Sequence, residues 1–296
     1  MTTVDLHLHS NFSNDGEFSP QELVHLCLAA GLTHAAIADH NSVKAVSEAC
    51  RAAERTGLCM IPAIEMDCDF DGVILHLLGY GIDHNAPIFT EIEASVHKLE
   101  QANSEQLLRL VRQLGIAFED AVIAELAFDG VVTGEMIAEA ALLYDSEGKN
   151  PLLDPYRGGG SRSDNPYVNF YWDYCSQGKP AYTPMDFISL REVVGIIRSN
   201  HGVPVLAHPG LQVKENLDLL ARIIAEGIAG LEAYSSYHTA VQARFYQNAA
   251  QSNKLLVTCG SDFHGKTKQN IKIGSVECGG QEQQIVTALT DAIDQA

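Results

Sequence analysis

Short apolar runs alternate with segments of helical periodicity along the first 85 residues. Residues 4–9 alternate between polar and apolar positions, as the two faces of a β-strand do. Ser19-Pro20-Gln21-Glu22 has the spacing of a capping box and predicts a helix that ends near Gly31. Asp71-Gly72 is a hairpin signal. The predicted order is strand, helix, strand, helix, strand and strand, at residues 4–9, 20–30, 34–38, 42–56, 58–64 and 73–80.

The pattern changes near Pro87 and changes back near residue 185. Residues 88–114 have a polar helical pattern, and 145–166 are rich in glycine, proline, serine and aspartate. Aromatic residues cluster at 167–174, where we favour packing inside the segment over stacking on a base. We therefore predict two domains. Residues 1–86 and 185–296 form the main domain, and 87–184 form an inserted, mostly helical cap or substrate domain.

Alternation of strands and helices resumes after the insertion. Ser189-Leu190-Arg191-Glu192 is a second capping box, and strands are predicted at 203–207, 229–234 and 255–259. Outside the insertion the sequence thus predicts seven strands with helices between them. This order is typical of an α/β fold with a largely parallel sheet or barrel.

Metal-binding residue types lie in or just after most of the predicted strands. His7 and His9 share one strand face, a pattern that alone is equally typical of two surface histidines. The carboxyl ends of strands in strand–helix units share one face, so residues far apart in sequence converge there. The recurrence therefore favours a metal centre. The candidate ligands are His7, His9, Asp15, His40, Glu65, His76, His208, Asp262 and His264.

The residue types narrow the choice of metal. Imidazole and carboxylate without thiolate suit zinc, manganese or iron and disfavour an all-oxygen calcium site. The seven cysteines are scattered, with no Cys-x-x-Cys pair. The candidates exceed what one ion needs, so we predict two or three divalent ions bridged by Glu65. Such ions lower the pKa of a bound water and clamp phosphoryl oxygens.

Composition excludes several classes of protein. The chain has 296 residues, is 46% hydrophobic, and contains neither an apolar run of membrane-spanning length nor a signal pattern. We therefore expect a cytoplasmic protein without a membrane partner. Its net charge of −19 opposes binding to long nucleic acids. The sequence leaves the oligomeric state open.

The successive motifs resemble those of the polymerase-and-histidinol-phosphatase (PHP) superfamily. They are His7-x-His9, Asp39-His40, Glu65, His76, Ala207-His208-Pro209 and Ser261-Asp262-Phe263-His264. The resemblance implies a distorted seven-stranded β/α barrel whose two- or three-metal site uses the nine candidates above. Asn14 occupies the usual place of the family aspartate, and we favour Asp15, one residue later. The resemblance also implies that His238 contacts substrate or supports a neighbouring site residue, although a loop histidine that only caps a helix is an equally good interpretation. We include His238 with Glu65 and Asp262 among the catalytic candidates.

The helical insertion makes the chain similar to small phosphoesterases that act on nucleoside 3′,5′-bisphosphates or short oligonucleotide ends. Those enzymes tend to carry an arginine in a motif where this sequence has Thr133-Gly134-Glu135-Met136. Arg157, Arg162 and Lys179 are the replacement candidates for binding substrate phosphate, although solvated loop cations are as good an interpretation.

We therefore expect a metal-dependent phosphoesterase that hydrolyses a small nucleotide-like phosphate ester by attack of a metal-bound hydroxide. One alternative is a phosphatase of a sugar or amino-acid-alcohol phosphate. Another is a non-catalytic metal-binding module.

Overall fold

The computed structural model describes residues 2–296, which fold into an α/β structure with two β-sheets. Helices follow most of the strands of the main domain, and both predicted capping boxes are present, at Ser19 with Glu22 and at Ser189 with Glu192. The strands are β1 Val4–Leu8, β2 His34–Ile37, β3 Cys59–Met60, β4 Ala63–Phe70, β5 Val73–Tyr80, β6 Val203–Leu206, β7 Gly230–Ser235 and β8 Leu256–Gly260. The helices are α1 Pro20–Ala29, α2 Val46–Ala53, α3 Pro87–Gln113, α4 Asp120–Leu126, α5 Gly134–Tyr144, α6 Pro166–Phe170, α7 Leu190–Ser199, α8 Leu217–Ala225, α9 Ala240–Asn253 and α10 Glu282–Ile293.

One sheet is parallel and the other is mixed. The first contains β1, β2 and β3 in that order, all parallel. The second runs from β4 to β8, with β4, β5 and β6 antiparallel and with β6, β7 and β8 parallel. The β4–β5 hairpin turns at Asp71-Gly72, whose φ angles of 52° and 79° are those of the tight turn that this dipeptide favours.

The predicted strand at 58–64 is wrong in one respect, because it is two strands that belong to different sheets. Pro62 lies between β3 and β4 and cannot donate a backbone hydrogen bond. β3 pairs with β2, whereas β4 pairs with β5. The described residues therefore form eight strands rather than seven, and Glu65 lies inside a strand rather than at its end.

The two sheets approach each other at both edges without forming a closed ladder. Leu8 makes an isolated parallel bridge with Phe263, just after β8. His40 makes another with Glu65 in β4. These bridges bring the carboxyl ends of β1 and β8 together and place the end of β2 beside β4. The predicted distorted seven-stranded β/α barrel is not confirmed, since the described strands form sheets of three and five.

The segment between β5 and α7 has a hydrophobic core of its own. Val111, Ile137, Leu153 and Phe170 are fully buried in this cluster, which is separate from the core around the sheets. The observed helix α3 lies within one residue of the polar helical pattern at 88–114. None of the helices between residues 2 and 296 is long and apolar enough to cross a membrane.

Candidate active site

Glu65 lies at the centre of a buried cluster of histidines. One of its oxygens, Oε2, lies 3.1 Å from His7 Nε2, 3.2 Å from His9 Nε2 and 3.3 Å from His40 Nδ1. The other, Oε1, lies 3.1 Å from both His76 Nδ1 and His208 Nε2. A single carboxylate therefore joins five imidazoles that the sequence places as far apart as residues 7 and 208.

Asp262 and Asp15 extend the cluster on the side of β8. Asp262 Oδ1 lies 3.1 Å from His9 Nε2, and Asp15 Oδ2 lies 3.1 Å from His264 Nε2. The neighbouring Asn14 points elsewhere, donating its amide to Glu100 at 2.9 Å. The structure therefore brings Asp15, and not Asn14, to the cluster.

All nine predicted ligands belong to four overlapping groups, in each of which the ligand atoms lie within 4.8 Å of one another. Glu65, His9, His40 and His76 each belong to two groups, so the groups form one continuous centre. The groups are His9, Asp15, His40 and His264; His7, His9, Glu65 and Asp262; His40, Asp67 and His76; and Glu65, His76 and His208.

Asp67 is a member of this centre that the sequence analysis missed. Its Oδ1 lies 3.4 Å from His76 Nε2, and the two residues face each other directly across β4 and β5. Side chains two positions apart share a strand face, so the alternation of Glu65-Met66-Asp67 carried the signal. The predicted strand at 58–64 ends before Asp67, whereas β4 continues to Phe70.

Hydrogen bonds outside the centre fix the orientation of its imidazoles. His7 Nδ1 lies 3.0 Å from Glu232 Oε1, and His9 Nδ1 lies 3.0 Å from Ser13 Oγ. Ser13 in turn donates to Asp39 Oδ1 at 3.0 Å. When each Nδ1 carries the proton, the opposite Nε2 is an acceptor directed into the centre, as a metal-binding histidine requires.

The backbone is strained where two of the predicted ligands leave their strands. His208 and Asp262 have φ angles of +24° and +58°, a region that side chains other than glycine seldom adopt. Gly260 in β8 packs so closely on β1 that a Cβ there would lie 2.2 Å from His7 Cβ. The close approach of the two strands thus requires glycine at this position.

The unpaired atoms of the centre fit divalent metal ions. Several are buried without a hydrogen bond to any described residue: His7 Nε2, His9 Nε2, His40 Nδ1, His208 Nδ1, His264 Nε2, Asp15 Oδ1, Glu65 Oε2 and Asp262 Oδ1. Buried polar groups normally have partners. Ligands about 2.1 Å from one zinc ion at tetrahedral angles lie roughly 3.4 Å apart. The separations of 3.1–3.4 Å between His7 or His9 and the carboxylates are therefore suited to sharing an ion.

The electrostatics of two ligands, His9 and Glu65, favour protonation states that bind metals, whereas those of two others favour a proton that a metal ion would have to displace. Burial, together with the neighbouring His264 and His40, lowers the pKa of His9 to about 3. Burial opposes ionisation of Glu65, but His7, His40 and His76 hold its pKa well below the ordinary value. Burial opposes protonation of His7 and His76, but the carboxylates around them, Glu65 first, hold the pKa of His7 well above its ordinary value and raise that of His76 to about 9. A neutral imidazole and an ionised carboxylate are the forms that coordinate a cation.

Comparison with protein families agrees with the motifs. Residues 5–141 match the family model of the PHP domain. This part of the chain is similar to the PHP domain. The match runs from β1 into α5, and it includes the six predicted ligands from His7 to His76. The other three, His208, Asp262 and His264, lie beyond it, yet they complete the same groups. The predicted relationship to the PHP superfamily is confirmed.

Curated relatives align over most of this chain. A 3′,5′-nucleoside bisphosphate phosphatase from Chromobacterium violaceum is 28% identical and spans 94% of this chain and 92% of its own length. A phosphoribosyl 1,2-cyclic phosphate 1,2-diphosphodiesterase from Eggerthella lenta is 27% identical, over 88% of this chain and 94% of its own. A 5′-3′ exoribonuclease from Haemophilus influenzae is 28% identical, over 88% and 89%.

Two solved structures share the fold of this chain over nearly its whole length. One is described as an amidohydrolase from Chromobacterium violaceum, with bound sulfate and no metal. Its TM-score is 0.78 and its identity 23%, over 97% of this chain and 96% of that one. The other, described as a candidate metal-dependent phosphoesterase from Bifidobacterium adolescentis, has a TM-score of 0.77 and 24% identity, over 98% and 96%. At these identities they show the fold alone.

A cavity of about 580 Å³ lies between the four ligand groups and side chains of residues 87–184. The ligand side of the wall includes His40, His76 and Asp262. The inserted segment contributes Tyr171 and Trp172. The aromatic residues at 167–174 therefore have two different roles. Phe170 packs in the hydrophobic core, whereas Tyr171 and Trp172 line the cavity.

The predicted phosphate-binding arginines do not line this cavity, which corrects the prediction. Arg157 donates to Asp145 Oδ2 at 2.6 Å, and Arg162 makes a bidentate pair with Asp173 at 2.9 and 3.0 Å. Both therefore stabilise the inserted segment. Lys179, the third candidate, does line the cavity and is exposed.

His238, the remaining catalytic candidate, lies outside the ligand groups with both ring nitrogens engaged. Its Nδ1 lies 2.9 Å from the carbonyl oxygen of Ala233, and its Nε2 accepts from the amide of Gly210 at 2.9 Å. A Cβ at Gly210 would lie 2.6 Å from the His238 ring. His238 thus supports the turn that carries His208, and the catalytic role predicted for it stays a prediction.

Proposed function

We propose that this chain hydrolyses a phosphate ester of a small nucleotide-like molecule in a centre of two or three divalent ions. The observation that carries the proposal is the convergence of the nine predicted ligands and Asp67 into four overlapping groups beside one cavity. Imidazole and carboxylate ligands of this kind suit manganese, zinc or iron.

The class of reaction follows from the relatives. The phosphatase, the cyclic phosphodiesterase and the exoribonuclease all act on phosphate esters, although their substrates differ. The prediction of a metal-dependent phosphoesterase is confirmed at this level. The substrate within the class belongs to the proposal.

The side chains have separate tasks in the proposed reaction. Glu65 holds two ligand groups together, with one oxygen in each. Glu232 and the pair of Ser13 with Asp39 keep His7 and His9 oriented with Nε2 inward. Divalent ions, when bound, supply an activated water and neutralise charge on the phosphoryl group. The inserted helices cover the cavity and limit access of bulk water.

Three features support a small substrate. The cavity of about 580 Å³ has the size of a pocket for a small ligand. Its aromatic side chains, Tyr171, Trp172 and Tyr237, offer surfaces for a nucleobase. The net charge of −19 opposes a long polyanion. Because one relative is an exoribonuclease, the end of a short RNA strand belongs among the substrates to be tested.

We also propose that the two sheets form one distorted barrel and that residues 87–184 are its cap. The bridges from Leu8 to Phe263 and from His40 to Glu65 support the barrel. The separate hydrophobic core of the insertion supports the cap.

A second candidate is a sugar or amino-acid-alcohol phosphate. Glu100 and Glu135 line the inserted side of the cavity, and no arginine does so among residues 2–296. Carboxyl groups accept hydrogen bonds from hydroxyl and ammonium groups, and they would repel a second phosphate when ionised.

The experiment is a substrate screen on protein whose metal content is measured by elemental analysis. The substrates are nucleoside bisphosphates, nucleoside and sugar monophosphates, an aryl phosphate, and single-stranded RNA of increasing length. We expect the highest kcat/KM on a small nucleotide. Efficiency that rises with strand length would contradict the small-substrate proposal. Absence of turnover with two or more ions bound would favour the non-catalytic module.

A further inference from the structure

Lys268 is a buried lysine on the wall of the candidate active-site cavity. It is 7% exposed, and its Nζ donates to Asp262 Oδ2 at 2.6 Å. The other oxygen of this carboxylate faces His7 and His9. Asp262 thus lies between the histidines on one side and an ammonium group on the other. Sequence analysis gave no sign of this, since the lysine lies in the loop after β8.

The ammonium group has hydrogen-bonding capacity that the protein does not use. A lysine carries three N–H donors, and Asp262 is the one hydrogen-bond acceptor of Lys268 Nζ among residues 2–296. Tyr237 donates to the same Asp262 oxygen. The ammonium group also lies 5.5 Å from the centroid of the Tyr237 ring. Its remaining donors therefore have no acceptor in the protein, although the group lines the cavity.

The loop holds Lys268 in place. Thr267 Oγ1 donates to the carbonyl oxygen of Asp15 at 2.7 Å, next to a predicted ligand. Lys266 forms a pair with Glu139 of α5 at 2.8 Å, and the amide of Asn270 donates to Asn165 at 2.7 Å. The short helical turn Lys266–Lys268 is thereby tied both to the metal-ligand loop and to the inserted segment.

The other lysines of the cavity differ from Lys268 in their exposure and in the contacts of their ammonium groups. Lys179 and Lys214 line the cavity but are exposed, and neither forms a hydrogen bond or an ion pair through its ammonium group with a described residue. A solvated ammonium group binds an anion weakly, because water and salt screen the attraction. A desolvated one with free donors beside the ligand groups attracts it more strongly.

We propose that Lys268 donates a hydrogen bond to a phosphoryl oxygen of the substrate while its contact with Asp262 is kept. The inference rests on the proposed function, since it assumes that the phosphoryl group lies beside the ligand groups. It assigns to a buried lysine after β8 the task that sequence analysis assigned to Arg157 and Arg162.

The test compares Lys268→Met with Lys214→Met, a matched change at an exposed lysine of the same cavity. Both proteins are loaded with Mn²⁺, and inorganic phosphate is titrated by calorimetry. Loss of a charge-assisted hydrogen bond should raise the Kd for phosphate about 10- to 100-fold in Lys268→Met and leave it unchanged in Lys214→Met. Lys268→Arg, which keeps the charge, should recover part of the affinity.

Metal content separates this role from a role through Asp262. The proposal requires that Lys268→Met retain the metal content of the unaltered protein and bind phosphate more weakly. Unchanged phosphate binding would overturn it, and so would a loss of affinity explained entirely by lost metal. If the unaltered protein hydrolyses no phosphate ester but binds phosphate in a Lys268-dependent manner, the proposed function fails and the inference stands.

Discussion

Replacing Glu65 by glutamine is the sharpest test of the proposed centre. The change keeps the size of the side chain and removes its negative charge. Glu65 belongs to the group with His7, His9 and Asp262 and also to the group with His76 and His208. An amide retains one oxygen, but its NH₂ cannot coordinate, so at least one group loses an anionic ligand.

The expected magnitude follows from the position of this carboxylate. Removing one group that stabilises charge in a transition state typically costs about 3–4 kcal/mol. Because Glu65 contributes to two ligand groups, we expect its loss to cost at least the upper end of that range in transition-state stabilisation. We expect kcat/KM to fall at least about 10³-fold, which is about 4 kcal/mol. We also expect at least one fewer metal ion per chain than in the unaltered protein.

The assay combines elemental analysis with steady-state kinetics on the best substrate of the screen. Glu226→Gln is the matched control, because Glu226 is also largely shielded but pairs with Arg191 at 2.8 Å and does not line the cavity. It should keep both metal and activity. If Glu65→Gln retained the full metal content and more than about a tenth of kcat, the bridging role of Glu65 would be refuted.

Three further predictions concern residues around the centre. Glu232 accepts from His7 Nδ1 and from the amide of His208, and Glu232→Gln leaves one acceptor oxygen for these two donors. The change should weaken metal binding about 10- to 100-fold in competition with a chelator; unchanged affinity would show that the hydrogen bond does not orient His7. Replacing Arg157 and Arg162 by glutamine should lower Tm by a few degrees, since both pair with aspartates of the insertion, and should leave KM within about twofold; a large rise in KM would restore them to the phosphate site. Burial is the main reason that the pKa of Glu135 rises from 4.5 to about 7, and the charge of Asp15 adds to it. The folded protein therefore holds this proton more tightly than the unfolded chain does. Its stability falls as the pH rises from 4.5 to about 7. Glu135→Gln should therefore raise the Tm of metal-free protein at pH 8 but not at pH 4, and an equal effect at both would contradict the pKa.

The ligand residues could be predicted because topology places them together. In a fold built from strand–helix units, any polar residue at the end of a strand faces the same end of the sheet. His208 and Asp262 illustrate this, since each follows a parallel strand and each reaches the groups that contain His7, His9 or Glu65. A periodic pattern was enough to find them, although the strained φ angles that aim both side chains were not visible in it.

Other features depended on single local details. Pro62 divided one predicted strand into β3 and β4 and thereby moved Glu65 from a strand end to a strand interior. Glu65 nevertheless lies among the other predicted ligands, because β4 passes directly beside His40. Asp67 was not predicted as a ligand, because the predicted strand ended at residue 64. In the structure it lies on the same face of β4 as Glu65 and opposite His76.

The cations show why substrate contacts are harder to predict than metal ligands. A buried metal ligand needs neighbours of its own kind, so recurrence in the sequence is evidence. An arginine or lysine can be satisfied by any carboxylate that reaches it, and the pairs of Arg157 with Asp145 and of Arg162 with Asp173 depend on the folding of an irregular segment. Lys268 differs from the two arginines, because its sequence context predicts a solvated loop residue that makes no contact with substrate. In the structure, Asp262 and Tyr237 hold its ammonium group at the cavity. The cation that meets the substrate is therefore identified by the donors it leaves unpaired after folding, and only the structure displays those.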